Sequence, residues 1–170
     1  MPHLHVCPLS LLDLTVERTG ASHLVTLIGP QTAVERPTRI PADRHLLITV
    51  SDIAEPMEGM ILPGRRHVEE LLAFALRWER AAPMVIHCFA GISRSTAAAF
   101  ITACALAPER DEADIASRLR AASPSATPNP RLVAVADRLL GRNGRMVRAL
   151  EQIGPATMMI EGKPFHLDLE

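Results

Sequence analysis

The sequence predicts an α/β domain: a central, mostly parallel sheet flanked by helices. Short apolar, β-branched runs bounded by turn residues alternate with longer segments of helical periodicity. That alternation favours parallel strands joined by helical crossovers. The chain of 170 residues is 48% hydrophobic and 22% charged, which suits one domain over residues 1–170 with a substantial core.

The elements follow in order. HLHVCPL (His3–Leu9) reads as a short strand, and Ser10 is a candidate cap for a helix running to about Thr19. SHLVTLI is a buried strand. Gly29 to Asp43, rich in proline and polar residues, is a loop. HLLITV is the next strand, and SDIAEPMEGMILPG is a long loop after it. Pro63 or Gly64 opens an amphipathic helix through HVEELLAFALRWER. PMVIHC is another strand, and Ser93 to Ala107 is an alanine-rich helix. DEADIASRLRAA is a helix capped by Asp111, and SPSATPNP is a loop. RLVAVADRLLGRNGRMVRALEQI is helical with a break at Gly141 and Gly144. The tail TMMIEGKPFHLDL reads as a final strand pair turning at EGKP.

Composition removes several function classes. A formal net charge of −1 gives no global attraction to nucleic acid or to an anionic membrane. Aromatics make up 3% and tyrosine is absent, which argues against a base-stacking surface. The opening MPHLHVCPLS lacks the basic and long apolar regions of a signal peptide. The longest apolar stretch, Thr96 to Ala107, is too short to span a bilayer. Cys7, Cys88 and Cys104 are widely spaced and odd in number, so no disulfide framework is expected, and a cytoplasmic location is. The seven histidines are scattered; His3 and His5 share a strand face, but no metal or cofactor is expected.

The chemistry concentrates in HCFAGISRS, His87 to Ser95. A loop between a strand and a helix presents successive backbone N–H groups as an anion nest, and the helix start adds more. Here that loop comprises Phe89, Ala90, Gly91, Ile92, Ser93 and Arg94. Gly91 suits a left-handed turn or a close backbone approach. The planar fork of Arg94 clamps two phosphate oxygens. The same field favours the nucleophilic thiolate form of a thiol held there, which makes Cys88 the nucleophile. Ser95 is placed to donate to the sulfur, and His87 tunes the loop without a proton-transfer role. A general acid is expected on another loop at the C-terminal edge of the sheet. Asp52, just after HLLITV, is the first candidate; Glu55 and Glu58 in the same loop compete with it.

His87, Cys88, Gly91, Ser93, Arg94 and Ser95 resemble the signature of the cysteine-based protein tyrosine and dual-specificity phosphatases. The resemblance implies a phosphotyrosine-phosphatase-like fold and a phosphocysteine intermediate on Cys88. It implies phosphate binding by Arg94 and general acid/base work by Asp52. The order of strand, acid loop, helix, strand, phosphate loop and helix is similar over roughly Leu46 to Ala107. Asn129 resembles an asparagine that braces the phosphate loop in compact members. Without tyrosine, and at this length, the chain is similar to the compact dual-specificity or small bacterial type.

The expected substrate is a phosphorylated protein or a small phosphomonoester, with no nucleic-acid partner and no membrane insertion. The loop interior lacks the lysines that suit inositol phosphates, so a lipid phosphatase is the less favoured alternative on the same fold. A sulfur transferase or arsenate reductase leaves Asp52 without a role, and a catalytically silent phospho-binding domain leaves the full chemical set unused. Oligomeric state is not legible in the sequence. The cluster Arg65, Arg66 and His67 reads as a solvated helix start.

Overall fold

A computed structural model of the chain describes residues 3–170; Met1 and Pro2, the first two residues of the expected domain and of the opening segment, lie outside the described residues. Five strands form one sheet: β1 (His3–Pro8), β2 (His23–Ile28), β3 (His45–Thr49), β4 (Met84–Cys88) and β5 (Phe165–Asp168). Their order is β3-β2-β4-β1-β5, and only β5 runs antiparallel, against β1. Among the described residues six α-helices accompany them: α1 (Leu12–Thr19), α2 (Arg65–Arg77), α3 (Arg94–Leu106), α4 (Glu112–Ala122), α5 (Pro130–Leu139) and α6 (Arg145–Gln152). The α/β class and the mostly parallel sheet are as the sequence predicts.

The two sheet faces are covered unequally. Leu4, Val6, Val25, Leu27, Ile48 and Ile86 point to the side where α2 to α6 pack. Cys7, Leu24 and Val85 point the other way, against Leu12 and Val16 of α1. Successive strand residues face opposite sides, so β2 and β4, buried throughout, read as continuous apolar runs. Helix α3 lies between the sheet and the outer helices, and its residues from Ser95 to Cys104 are all buried. Its alanines let neighbouring backbones approach closely, and Phe100 and Ile101 fill the remaining space. An apolar helix in this position starts at the loop after β4 and fixes that loop to the core.

Several expectations about segment ends change. Leu9–Leu11 form a 3₁₀ turn before α1, and the helix has no side-chain cap. The Ser10 hydroxyl instead donates to the Glu161 carboxylate. Asp111 caps α4 as expected, accepting from the Ala113 amide at 2.7 Å. The break between α5 and α6 falls at Gly141 and Gly144, both at positive φ, and Asp137 accepts from the Gly144 and Met146 amides there. The tail does not form a strand pair. Only Phe165–Asp168 is a strand, because the backbone donors before it are used elsewhere. The Thr157 amide bonds the Pro124 carbonyl at 2.9 Å, and the Gly162 amide bonds the Ala90 carbonyl at 2.8 Å.

A buried ion pair ties α4 to the start of α6. Glu112 accepts from Arg142 at 2.8 Å and from Arg145 at 3.2 Å, and Arg142 also bonds the Cys104 carbonyl. Burial alone raises the Glu112 pKa, but the two guanidinium hydrogen bonds outweigh it and hold the carboxyl at about 2. The folded value lies below the unfolded one, so this stabilisation is full above the ordinary glutamate range and fades as pH falls towards about 2. Glu112→Gln is therefore expected to lose about 3 kcal/mol at pH 7, since it leaves Arg142 buried without its partner. Urea unfolding of both proteins at pH 7 and at pH 3 checks this; the gap should narrow at the lower pH.

Candidate active site

Strand β4 ends at Cys88 and α3 begins at Arg94, with five residues between them. Four carbonyls of this loop are held from outside. Phe89 accepts from the Leu9 amide at 3.0 Å, Ala90 from Gly162 at 2.8 Å, Ile92 from Thr127 at 2.9 Å and Ser93 from Asn129 at 3.1 Å. In a trans peptide the N–H points opposite to the C=O. The amides of Ala90, Gly91, Ser93 and Arg94 therefore turn towards the loop interior. The Gly91 amide reaches the Cys88 Sγ at 3.3 Å, which fits that orientation. The result is a ring of donors around a thiol.

Gly91 shows why this curl needs glycine. Its φ is 70°, and a Cβ there would meet the Pro8 nitrogen at 2.8 Å and the Cys7 carbonyl carbon at 2.9 Å. The end of β1 thus presses on the back of the loop. Gly162 presses from a second side, where a Cβ would lie 2.8 Å from the Gly91 carbonyl oxygen.

Cys88 is 2% exposed, and its Sγ lies 3.0 Å from the Ser95 Oγ. Ser95 is buried in the first turn of α3, so its hydroxyl has a fixed direction. Arg94 reaches the end of β3, where Nη1 donates to the Val50 carbonyl at 2.9 Å. Its Nε is buried and has no hydrogen-bond partner among the described residues. A guanidinium held at one corner, with an N–H that makes no hydrogen bond among the described residues, is suited to an oxyanion.

His87 sits beneath the loop, fully buried. Its Nδ1 donates to the Cys88 carbonyl at 3.1 Å, and its Nε2 lies 2.8 Å from the Thr26 hydroxyl. The same hydroxyl lies 2.8 Å from the His45 Nε2. Burial pushes the His87 pKa down to about 4, with His45 and Arg94 adding to the effect against the Cys88 carbonyl. A neutral ring donating through Nδ1 must accept at Nε2, so Thr26 donates to His87 and accepts from His45. Sequence reading missed Thr26 and His45. A polar threonine inside an otherwise apolar buried strand was the available signal.

The loop after β3 meets this ring through Asp52. Ser93 Oγ donates to Asp52 Oδ1 at 2.6 Å, and the Asn129 amide donates to the same oxygen at 2.9 Å. Oδ2 makes no hydrogen bond among the described residues. Asn129 braces more than the phosphate loop. Its side chain holds Asp52 and the Ile53 carbonyl and caps α5, while its backbone amide holds Ser93. Glu55 and Glu58 are exposed and make no side-chain hydrogen bond or ion pair among the described residues. Arg65 and Arg66 pair with Glu69 and Glu70 along the surface of α2. Burial pushes the thiols of Cys7 and Cys104 up to about 12, so neither is a ready nucleophile.

Compared as a sequence, the chain matches no family model and no curated protein. Its fold has clear relatives. DUSP15 superposes with a TM-score of 0.65 at 22% identity, covering 92% of this chain and 96% of that one. A mouse dual specificity phosphatase complexed with zinc tungstate gives 0.62 at 17% identity, covering 86% of each chain. The PTP-2 phosphatase of Cydia pomonella gives 0.60 at 17% identity, covering 97% of this chain and 94% of that one. The chain therefore has the fold of the dual-specificity and tyrosine phosphatases over nearly its whole length.

Two glycines at similar φ separate conformation from crowding. Gly141→Ala, at φ 64° with nothing within 4 Å of the added carbon, is expected to cost about 1 kcal/mol. Gly91→Ala meets backbone atoms and is expected to cost about 3 kcal/mol. Denaturant midpoints of the two variants measure the difference.

Proposed function

We propose that the protein is a metal-independent phosphomonoester hydrolase of the dual-specificity or tyrosine phosphatase type. The observation that carries the reading is the joint arrangement of Cys88 Sγ, the inward amides, the free Nε of Arg94 and the tethered Asp52. Fold likeness to dual-specificity phosphatases supports it.

In this mechanism the phosphate oxygens sit in the amide ring and against Arg94. The Cys88 thiolate attacks phosphorus, the P–O bond to the leaving group breaks, and Asp52 gives its proton to the departing oxygen. Water then attacks the phosphocysteine, Asp52 takes the proton, and the S–P bond breaks to return the thiolate and release phosphate. The Ser95 hydroxyl, 3.0 Å from the sulfur, donates to the thiolate as it leaves. Because both bonds to Asp52 end on Oδ1, Oδ2 is the oxygen that carries the proton. The neutral ring of His87 fixes the Cys88 carbonyl and takes no part in proton transfer.

The proposed substrate is a phosphorylated protein side chain. Phe89 in the phosphate loop and Met57 and Met60 in the acid loop are exposed and apolar, which suits a peptide better than a polyanionic inositol phosphate. No helix among the described residues is long and apolar enough to cross a membrane. Three free, buried cysteines support the cytoplasm as its compartment.

Hydrolysis of p-nitrophenyl phosphate is expected to survive EDTA, to be blocked by vanadate and to vanish in Cys88→Ser. Full activity in that variant overturns the proposal. Tight phosphopeptide binding without turnover identifies a silent binding domain instead. Asp52→Asn is expected to slow alkyl phosphates far more than activated aryl phosphates, because only the poor leaving group needs the proton. Equal losses for the two substrates remove Asp52 from the acid role.

A further inference from the structure

The edge strands bring together residues that are far apart in sequence. In the β1–β5 register His3 lies opposite Asp168, and His5 lies opposite His166. Directly opposed residues, and residues two apart on a strand, share one face of a sheet. All four side chains therefore stand on the same face. Leu4, Val6, Phe165 and Leu167 alternate with them and enter the main core on the other face. The histidine face is the side covered by α1 and by Ile40 and Val34 of the loop after β2, which pack near Cys7, Leu24 and Val85.

The ring of His3 lies 5.2 Å from that of His166, and the ring of His5 lies 5.7 Å from His166. His3 Nδ1 is 2.5 Å from Asp168 Oδ1, and His166 Nε2 is 3.8 Å from the same oxygen. One ligand atom from each of His3, His166 and Asp168 lies within 4.8 Å of the others. A bare sheet edge needs only polar side chains. Three imidazoles and a carboxylate at cross-strand positions are a donor set of the kind that holds zinc or a similar cation.

We propose that His3, His166 and Asp168 bind a divalent transition-metal ion of the zinc class, with His5 the imidazole next to the fourth position. The site is separate from the Cys88 loop and requires no part in the reaction there. The bound ion staples β5 to β1. That matters beyond the edge, because the chain just before β5 carries Gly162, whose amide holds the Ala90 carbonyl in the phosphate loop. The sequence alone gives only the pair His3 and His5; antiparallel pairing supplies the other two.

Calorimetric titration of the full, untagged chain with Zn²⁺ tests this, using Cys88→Ser as the parent so that its thiol does not compete. One saturable site per chain is expected, with a zinc-dependent rise in the thermal midpoint. His166→Ala and Asp168→Ala, both at exposed positions, are each expected to weaken binding by about tenfold or more and to remove the midpoint shift. Co²⁺ binding should give visible d–d bands in the parent that are lost in His166→Ala. No saturable binding to the parent overturns the proposal, as does zinc affinity unchanged in both variants. Circular dichroism shows that each variant is folded before it is scored.

Discussion

The arrangement depends on how the backbone between Cys88 and Arg94 is turned. Four of its five carbonyls, all but that of Gly91, point outward to donors outside the loop: Leu9 after β1, Gly162 before β5, and Thr127 and Asn129 before α5. Once those four carbonyls are fixed, the amides of Ala90, Gly91, Ser93 and Arg94 have one direction left, which is inward. Satisfying buried backbone groups is close to obligatory, so this orientation is a consequence of folding rather than of ligand. Gly91 is the point where the loop lies against another backbone and where no side chain fits.

The sheet order supplies the rest. Strands β3 and β4 are separated by β2, a distance of about 10 Å at normal strand spacing. Arg94 bridges that gap to the Val50 carbonyl, and Asp52 comes back across it to Ser93. The loop after β3 is therefore registered on the Cys88–Arg94 loop by two side-chain contacts rather than by packing alone. Beneath, the chain from His45 through Thr26 to His87 fixes a neutral imidazole against the Cys88 carbonyl. Three strands thus contribute to the rigidity of one short turn.

Much of this was legible in the chain. Apolar runs located the strands, and HCFAGISRS located the strand end at Cys88, the turn and the helix start that bring its thiol, Arg94 and the Ser95 hydroxyl together, because these are local features. The tight turn at Gly91 could also be anticipated. What could not be read were partners set by tertiary pairing. Gly162 sits in a tail that looked like a hairpin, yet its amide is used by the loop, so the hairpin does not form. Asn129 does hold the Cys88–Arg94 loop through its backbone amide on Ser93, but that its side chain also holds Asp52 is not legible, because side-chain direction at a helix cap depends on what lies opposite. Ser10 had the pattern of a cap but faces Glu161. The pairing of His3 and His5 with Asp168 and His166 depends on a strand register that no local pattern encodes.

In the proposed reaction Cys88 carries the phosphoryl group during turnover. Reaction with an aryl phosphate, quenched in denaturant at alkaline pH and followed by peptide mass analysis at the same pH, decides it. One phosphoryl group is expected on the peptide containing Cys88, held as an S-phosphocysteine that survives alkali and is lost in weak acid, and more abundant when Asp52→Asn slows its hydrolysis. Turnover with no phosphoryl adduct on Cys88 in either protein, or with the adduct on another residue, contradicts it.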